Sequence, residues 1–275
     1  MLRDPLIKYH IVDDFRWRSR EVSRIEGFSD AVFGFAVTLL IVSLEVPRTS
    51  TELLETMHSF GGFVVTFFML ASIWYSQFIF FRRYGLEDRV TVILNLALLF
   101  TVLFFVYPLK FLFTLILRDP LMKGKIQTAH GLELAILPQH KPWILTIFGL
   151  GFAAIFLIFI LLYRHAYARR KDLELDELEI FETGSVIRRQ ATACGIGLLY
   201  VALGFATSLP HGTQREKDIF VAADFGVELL MLALLGNLIR LQIKRKKFVR
   251  AWRHNHKLAT PAGFEAPQVI LPSPE

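Results

Sequence analysis

Ile155-Phe156-Leu157-Ile158-Phe159-Ile160-Leu161-Leu162 sets apolar side chains one after another, with no polar residue to mark a solvated face. Lipid offers no partners to backbone N–H and C=O groups, so only helices and closed barrels span a bilayer. A barrel strand alternates apolar and polar residues. This stretch does not alternate, and it reads as helix. Extended outward it covers residues 143–163, and crossing a hydrocarbon core of about 30 Å takes roughly 20 mainly apolar residues. Five more runs of that kind cover residues 29–46, 60–81, 90–113, 191–209 and 221–241. A chain of 275 residues that is 53% hydrophobic, with 26 Phe, is richer in apolar residues than an ordinary globular domain. No water-soluble core of this size absorbs six such runs. The expected fold is all-α: a polytopic membrane protein with six transmembrane helices.

Charge orients it. The first two dozen residues hold Arg3, Asp4, Lys8, Asp13, Asp14, Arg16, Arg18 and Arg20, too many charges for the apolar centre of a signal peptide. The N-terminal arm, the second and fourth loops and the C-terminal tail, counted with Arg240 at the end of the last run, carry twenty-three of the 31 Lys and Arg. The positive-inside rule then places both termini in the cytoplasm, and the basic balance needs no nucleic-acid partner. The run Lys244-Arg245-Lys246-Lys247 follows the last span, where basic clusters sit against anionic headgroups. Residues 1–257 read as one six-helix membrane domain with a short cytoplasmic arm, and the Pro-rich residues 258–275 as a disordered tail. Residues 172–182 are acidic with interleaved Leu, a cytoplasmic continuation of helix whose charges are expected to be solvated. One cysteine, Cys194, allows neither an intrachain disulfide nor a thiolate metal cluster.

The entrance to the first span is unusual: Arg24-Ile25-Glu26-Gly27-Phe28-Ser29-Asp30-Ala31-Val32-Phe33-Gly34-Phe35-Ala36-Val37-Thr38-Leu39-Leu40. A charge at the bilayer centre costs about 2.5–3.5 kcal/mol on insertion scales, less towards the interface. One account makes Ser29 and Asp30 helix caps and Arg24 an interfacial anchor. At about 100° per residue, Arg24, Phe28, Phe35, Leu39 and Val42 share a stripe with Thr38 at its margin, while Asp30, Gly34 and Val37 point elsewhere. Lipid contact explains an apolar stripe as readily as a pore lining does.

Arg24-x-x-x-Phe28-Ser29-Asp30, with Ala31-Val32-Phe33 and Thr38-Leu39-Leu40 after it, resembles the signature of the transmembrane protein 175 family of potassium channels, in its six-span prokaryotic branch. Ile73-Trp74-Tyr75-Ser76-Gln77 in the second span and Leu94-Asn95 with Pro108 in the third are similar to the family pattern. Gln77 stands where the family usually has His, and Phe35 where it has Ile or Leu. The resemblance implies a homotetrameric potassium-permeable channel whose first helix lines the pore. It puts the narrowest ring at Phe35, with Leu39 and Val42 along the same stripe and Thr38 favouring potassium. Arg24, Phe28, Ser29 and Asp30, with Asn95, would hold helices together rather than touch the ion. Hydrophobic rings gate by dewetting, and four Phe35 side chains would make a tight constriction.

The remaining polar residues are read as support. Asn95 and Asn237 are interhelical glue, each bond worth about 1–2 kcal/mol or less. Asp224 and Glu228 form an interfacial pair. Glu45 would ring an outer pore mouth and concentrate cations. Gly149, Gly151, Gly195, Gly197 and Gly204 serve close helix packing. No catalytic set, phosphate loop or metal-ligand spacing stands out, so no enzyme and no cofactor are expected. The expected partners are further copies of the chain, the lipid bilayer and permeant potassium ions, and the expected location is a bacterial or archaeal plasma membrane. A proton-coupled secondary transporter, which usually shows inverted repeats and broken helices, and a non-conducting membrane scaffold are the alternatives.

Overall fold

The computed structural model describes residues 10–12, 15–19, 21–42, 49–118, 125–128, 131–134 and 140–208, together with positions 240, 243, 244, 247 and 248. Five long helices dominate: α1 (Arg24–Val42), α2 (Ser50–Tyr84), α3 (Arg89–Arg118), α4 (Lys141–Ala168) and α5 (Glu177–Ser208). Each holds a segment long and apolar enough to cross a membrane. The sixth expected span, residues 221–241, lies outside the described residues apart from position 240, and Asp224, Glu228, Asn237, Glu45 and the tail 258–275 lie outside them as well. Among the described residues, one short antiparallel hairpin precedes α1 and another lies between α3 and α4. In one, β1 (His10–Val12) pairs with β2 (Phe15–Trp17), setting His10 opposite Trp17; in the other, β3 (Lys125–Thr128) pairs with β4 (Gly131–Leu134).

The helix boundaries come from their end residues. At the head of α1 the Ser23 hydroxyl accepts the Glu26 backbone N–H at 3.2 Å, a side-chain cap for an otherwise unpaired donor. Ser29 and Asp30 therefore lie inside the helix and do not cap it. At the foot of α2, Gly85 adopts φ +58°, and its N–H reaches the Phe81 carbonyl at 2.8 Å. That left-handed stop suits glycine. The last carbonyls of α2 are taken by the N-terminal arm: Arg18 and Ser19 donate their N–H groups to the Arg82 oxygen at 3.0 and 3.4 Å. Phe15 of β2 is fully buried, edge-on to Tyr84 at 5.6 Å. The arm is thus packed against the end of α2 as part of the bundle.

Asp88 opens α3, accepting the Thr91 N–H at 3.2 Å and the Thr91 hydroxyl at 2.5 Å on one carboxylate oxygen. Its other oxygen meets His165 Nε2 at 2.7 Å and Arg169 Nη2 at 3.1 Å, from the end of α4. Partial burial works to raise the Asp88 carboxyl, but the bonds from Thr91 and His165 outweigh it and hold the group below its ordinary range. A carboxyl so lowered contributes stability above its unfolded value and loses it as pH falls through the folded one. Asp88→Ala is accordingly expected to cost about 1–2 kcal/mol, the scale of a lost helix cap. The gap in melting temperature from the parent protein should narrow once pH drops below the ordinary value of 3.8. A gap that widens in acid would refute this role for Asp88.

The helices meet in sequence: α1 lies against α2 and α3, α2 against α3, α3 against α4, and α4 pairs most extensively with α5. That last contact depends on small residues. A Cβ on Gly149 would come within 2.7 Å of the Gly197 carbonyl, and one on Gly197 within 2.7 Å of the Ala153 nitrogen. Gly151 faces the Phe105 ring, and Gly204 the Pro142 carbonyl. Around Gly195, among the described residues, no atom lies within 4 Å of where a Cβ would stand. Cys194 is buried, its Sγ 3.5 Å from the Ala153 oxygen.

The acidic stretch also departs from expectation. Glu179 and Glu182 are buried rather than solvated, because α5 begins at Glu177 and carries them into the bundle. Asp176 and Glu179 exchange bonds as a capping box: the Glu179 N–H reaches Asp176 Oδ1 at 2.8 Å, and the Asp176 N–H reaches Glu179 Oε2 at 3.2 Å.

Candidate functional site

Residues three and four apart along α1 divide it into two faces. Glu26, Ser29, Phe33, Ala36 and Leu40 are buried. Phe28, Phe35 and Val42 are 54%, 56% and 70% exposed within the single chain. Arg24 and Thr38 share the exposed side, and Leu39 is half-buried at its edge. The structure thus brings the predicted stripe together on one uncovered surface.

The buried face is held by a polar chain. Gln77 donates an amide N–H to Asn95 Oδ1 at 2.7 Å, Asn95 donates its own to Ser29 Oγ at 2.9 Å, and the Ser29 hydroxyl donates to the Ile25 carbonyl at 2.7 Å. Three helices are joined by consecutive bonds, each link running from donor to acceptor. Gln77 supplies the N–H that opens the chain. Beside it, the Trp74 indole donates to Asp30 Oδ1 at 2.7 Å. Thus two residues of the signature, Ser29 and Asp30, each bond across to a neighbouring helix.

Sequence reasoning misses further side chains. Glu26 forms an ion pair with Arg82 at 3.3 Å, and Arg82 also donates to the Glu21 carbonyl at 3.2 Å. Their signal is the Ser23-x-x-Glu26 capping pattern, which marks a helix start but gives no hint of the partner on α2. Lys110, a charge inside the third apolar run, brings its Nζ to 3.5 Å from the Leu40 carbonyl near the end of α1. Lysine reaches that carbonyl because its long apolar stem packs while the ammonium seeks oxygen.

Thr38 donates its hydroxyl to the Gly34 carbonyl at 3.0 Å. A hydroxyl has one proton and two acceptor positions, so a proton turned into the helix leaves oxygen lone pairs for the exposed side. Alongside, Asp30, Gly34 and Val37 border an open groove of about 410 Å³ between α1 and α2, with Trp74 and Phe67 on its far wall. Among the described residues no group of three His, Cys, Asp or Glu is placed to hold a metal.

Residues 24–105, which contain α1 and the Gln77–Asn95–Ser29 chain, match the family model described as the endosomal/lysosomal potassium channel TMEM175. The chain is 39% identical over 188 residues to a potassium channel of Marivirga tractuosa, an alignment covering 68% of this chain and 76% of that one. A potassium channel of Chamaesiphon minutus is 25% identical over 193 residues, with 67% of this chain and 85% of the other covered. Among solved structures, the potassium channel MtTMEM175, as a variant in complex with a nanobody–MBP fusion protein, superposes with a TM-score of 0.68 at 33% identity, over 85% of this chain and 98% of that one. With five helices long and apolar enough to cross a membrane among the described residues, and with relatives of this extent, the chain is a multi-pass membrane protein that belongs to the TMEM175 family of potassium channels, which are channels and not enzymes.

Proposed function

We propose that this protein is a potassium-permeable cation channel in which α1 lines the pore and a ring of Phe35 forms a hydrophobic gate. The observation that carries this reading is the division of α1. One side is tied to α2 and α3 by the Gln77–Asn95–Ser29 chain, and the other presents Phe28, Phe35 and Val42 uncovered. A helix anchored on its polar side and bare on its apolar side suits assembly of several copies about a common axis. In that assembly Phe35, Leu39 and Val42 stack along the water path, with the Thr38 hydroxyl oxygen between the first two as a polar step for a cation. Arg24, Phe28, Ser29 and Asp30 belong to the framework, and Glu45 forms the outer cation-attracting ring.

The assembly is a homotetramer, each chain contributing six spans from a membrane domain of residues 1–257, with the tail 258–275 and both termini in the cytoplasm of a bacterial or archaeal plasma membrane. No cofactor takes part, and the partners are other copies, lipid and permeant potassium. The groove between α1 and α2 supports this assembly, since it leaves room beside the stripe for side chains of a neighbouring copy.

Ion flux through purified protein in liposomes tests the function. Potassium uptake is expected to exceed uptake of sodium, with caesium as a third comparator, and planar bilayers should show unitary currents. Flux without unitary currents would point to a transporter, and no flux of any ion to a scaffold. Either result would end the channel reading.

A further inference from the structure

We propose that Glu179 is a positioning residue for the proposed pore helix: with Arg16 and Arg18 it forms an inner clasp that restrains α1 and must loosen for the channel to open. The proposal rests on the reading that α1 lines the pore.

Glu179 is fully buried near the head of α5. Its carboxylate meets Arg16 Nη2 at 3.0 Å and Arg18 Nη2 at 2.6 Å, and it also accepts the Arg16 backbone N–H at 2.9 Å. Together with the Asp176 N–H at 3.2 Å, these donors surround both oxygens. A carboxylate withdrawn from water is tolerated only with such partners, so the arginines and Glu179 form one unit. The same arginines reach the α4–α5 turn: Arg16 donates to the Glu174 carbonyl, whose residue has φ +49°, and Arg18 donates to the Leu173 carbonyl at 2.9 Å.

The connection of this unit to α1 makes it more than a local tie. Arg18 stands six positions before Arg24, the first residue of α1. Arg18 also donates to the Arg83 carbonyl at 3.2 Å, Arg82 holds the Glu21 carbonyl, and the Glu26–Arg82 pair fixes the first turn of α1. The inner end of α1 is therefore attached to both α2 and α5, and Glu179 is the point where α5 joins. Any movement of α1 that widens the Phe35 ring pulls on this arm. The geometry couples the α4–α5 pair to the pore helix through one buried carboxylate.

The test uses full-length protein in planar bilayers. Glu179→Gln keeps the volume and an acceptor oxygen but removes the charge; Arg18→Gln weakens the clasp from the other side and leaves Arg16 to compensate Glu179. Each variant is expected to raise open probability about tenfold, the change that about 1.4 kcal/mol makes in an equilibrium. Unitary conductance and the potassium-to-sodium reversal potential should stay at the parent values. Because both act on one unit, the double variant should not exceed the larger single effect. Hydrogen exchange in residues 15–19 is measured alongside. Faster exchange with unchanged open probability would make the clasp a purely structural tie and overturn the proposal. If Glu179→Gln does not fold, Arg18→Gln alone decides between these outcomes. If the parent protein passes no unitary current, the pore reading itself has failed and the clasp falls with it, a result separate from currents that the variants leave unaltered.

Discussion

Phe35→Ala should raise potassium flux through reconstituted protein about tenfold, a barrier lowering of about 1.4 kcal/mol. A narrow apolar ring gives water and ions nothing to bind, so the barrier there is one of dewetting. Replacing each phenyl by a methyl widens the ring and admits a continuous water column. The substitution should leave the fold intact. Phe35 is 56% exposed in the single chain, so its removal opens no cavity in the core. The melting temperature is expected to stay at the parent value while flux rises, which separates gating from stability. Unchanged flux from a folded variant would remove Phe35 from the gate and leave its stripe to lipid.

The sequence makes that stripe legible because a helix repeats its faces with a fixed period, and Phe28, Phe35 and Val42 keep step with it. The membrane class is legible for a related reason: apolar runs such as 155–162 admit no other spanning structure. Helix ends are less legible. The expected first span begins at 29, but the helix starts at Arg24 because Ser23 caps it. Hydropathy marks where lipid begins, and capping marks where the helix begins. The fifth span shows the same gap on a larger scale: its helix starts at Glu177, well before the apolar run at 191. Composition does not reveal Glu179 as buried, since its partners Arg16 and Arg18 lie more than 150 positions away in sequence. Charge pairing across such separations is a property of the fold, and the short hairpin that delivers those arginines has no strong local pattern. Asn95 reads as polar glue from sequence, yet its partners emerge only in the structure. A side-chain amide inside a membrane helix must be satisfied, but periodicity does not say by whom.

Asn95→Leu is expected to destabilise the protein strongly, and the manner in which a second substitution repairs it reports whether the polar chain works as one unit. Asn95, Gln77 and Ser29 are 0%, 2% and 0% exposed, so none of them can turn to water. Removing Asn95 strands the Gln77 N–H that pointed at it, and a buried donor left without an acceptor costs about 1–3 kcal/mol. Ser29 loses one donor but keeps its own bond to the Ile25 carbonyl, which makes its loss the smaller. The size is large against a total stability of about 5–15 kcal/mol, and it should appear as a lower melting temperature in detergent and a poorer yield of assembled protein. Adding Gln77→Leu removes the stranded group as well as its partner. An exchange of both members of a buried pair for apolar residues of similar shape is close to neutral, so the double variant should be more stable than Asn95→Leu alone. Flux is expected to take a different course. The double variant regains packing but not the bond that ties α1 to α3, and it should conduct abnormally even where it melts normally. Independent costs that simply add in the double variant would mean that Gln77 and Asn95 hold their helices separately, and that α1 is fixed by apolar packing of Phe33, Ala36 and Leu40 instead.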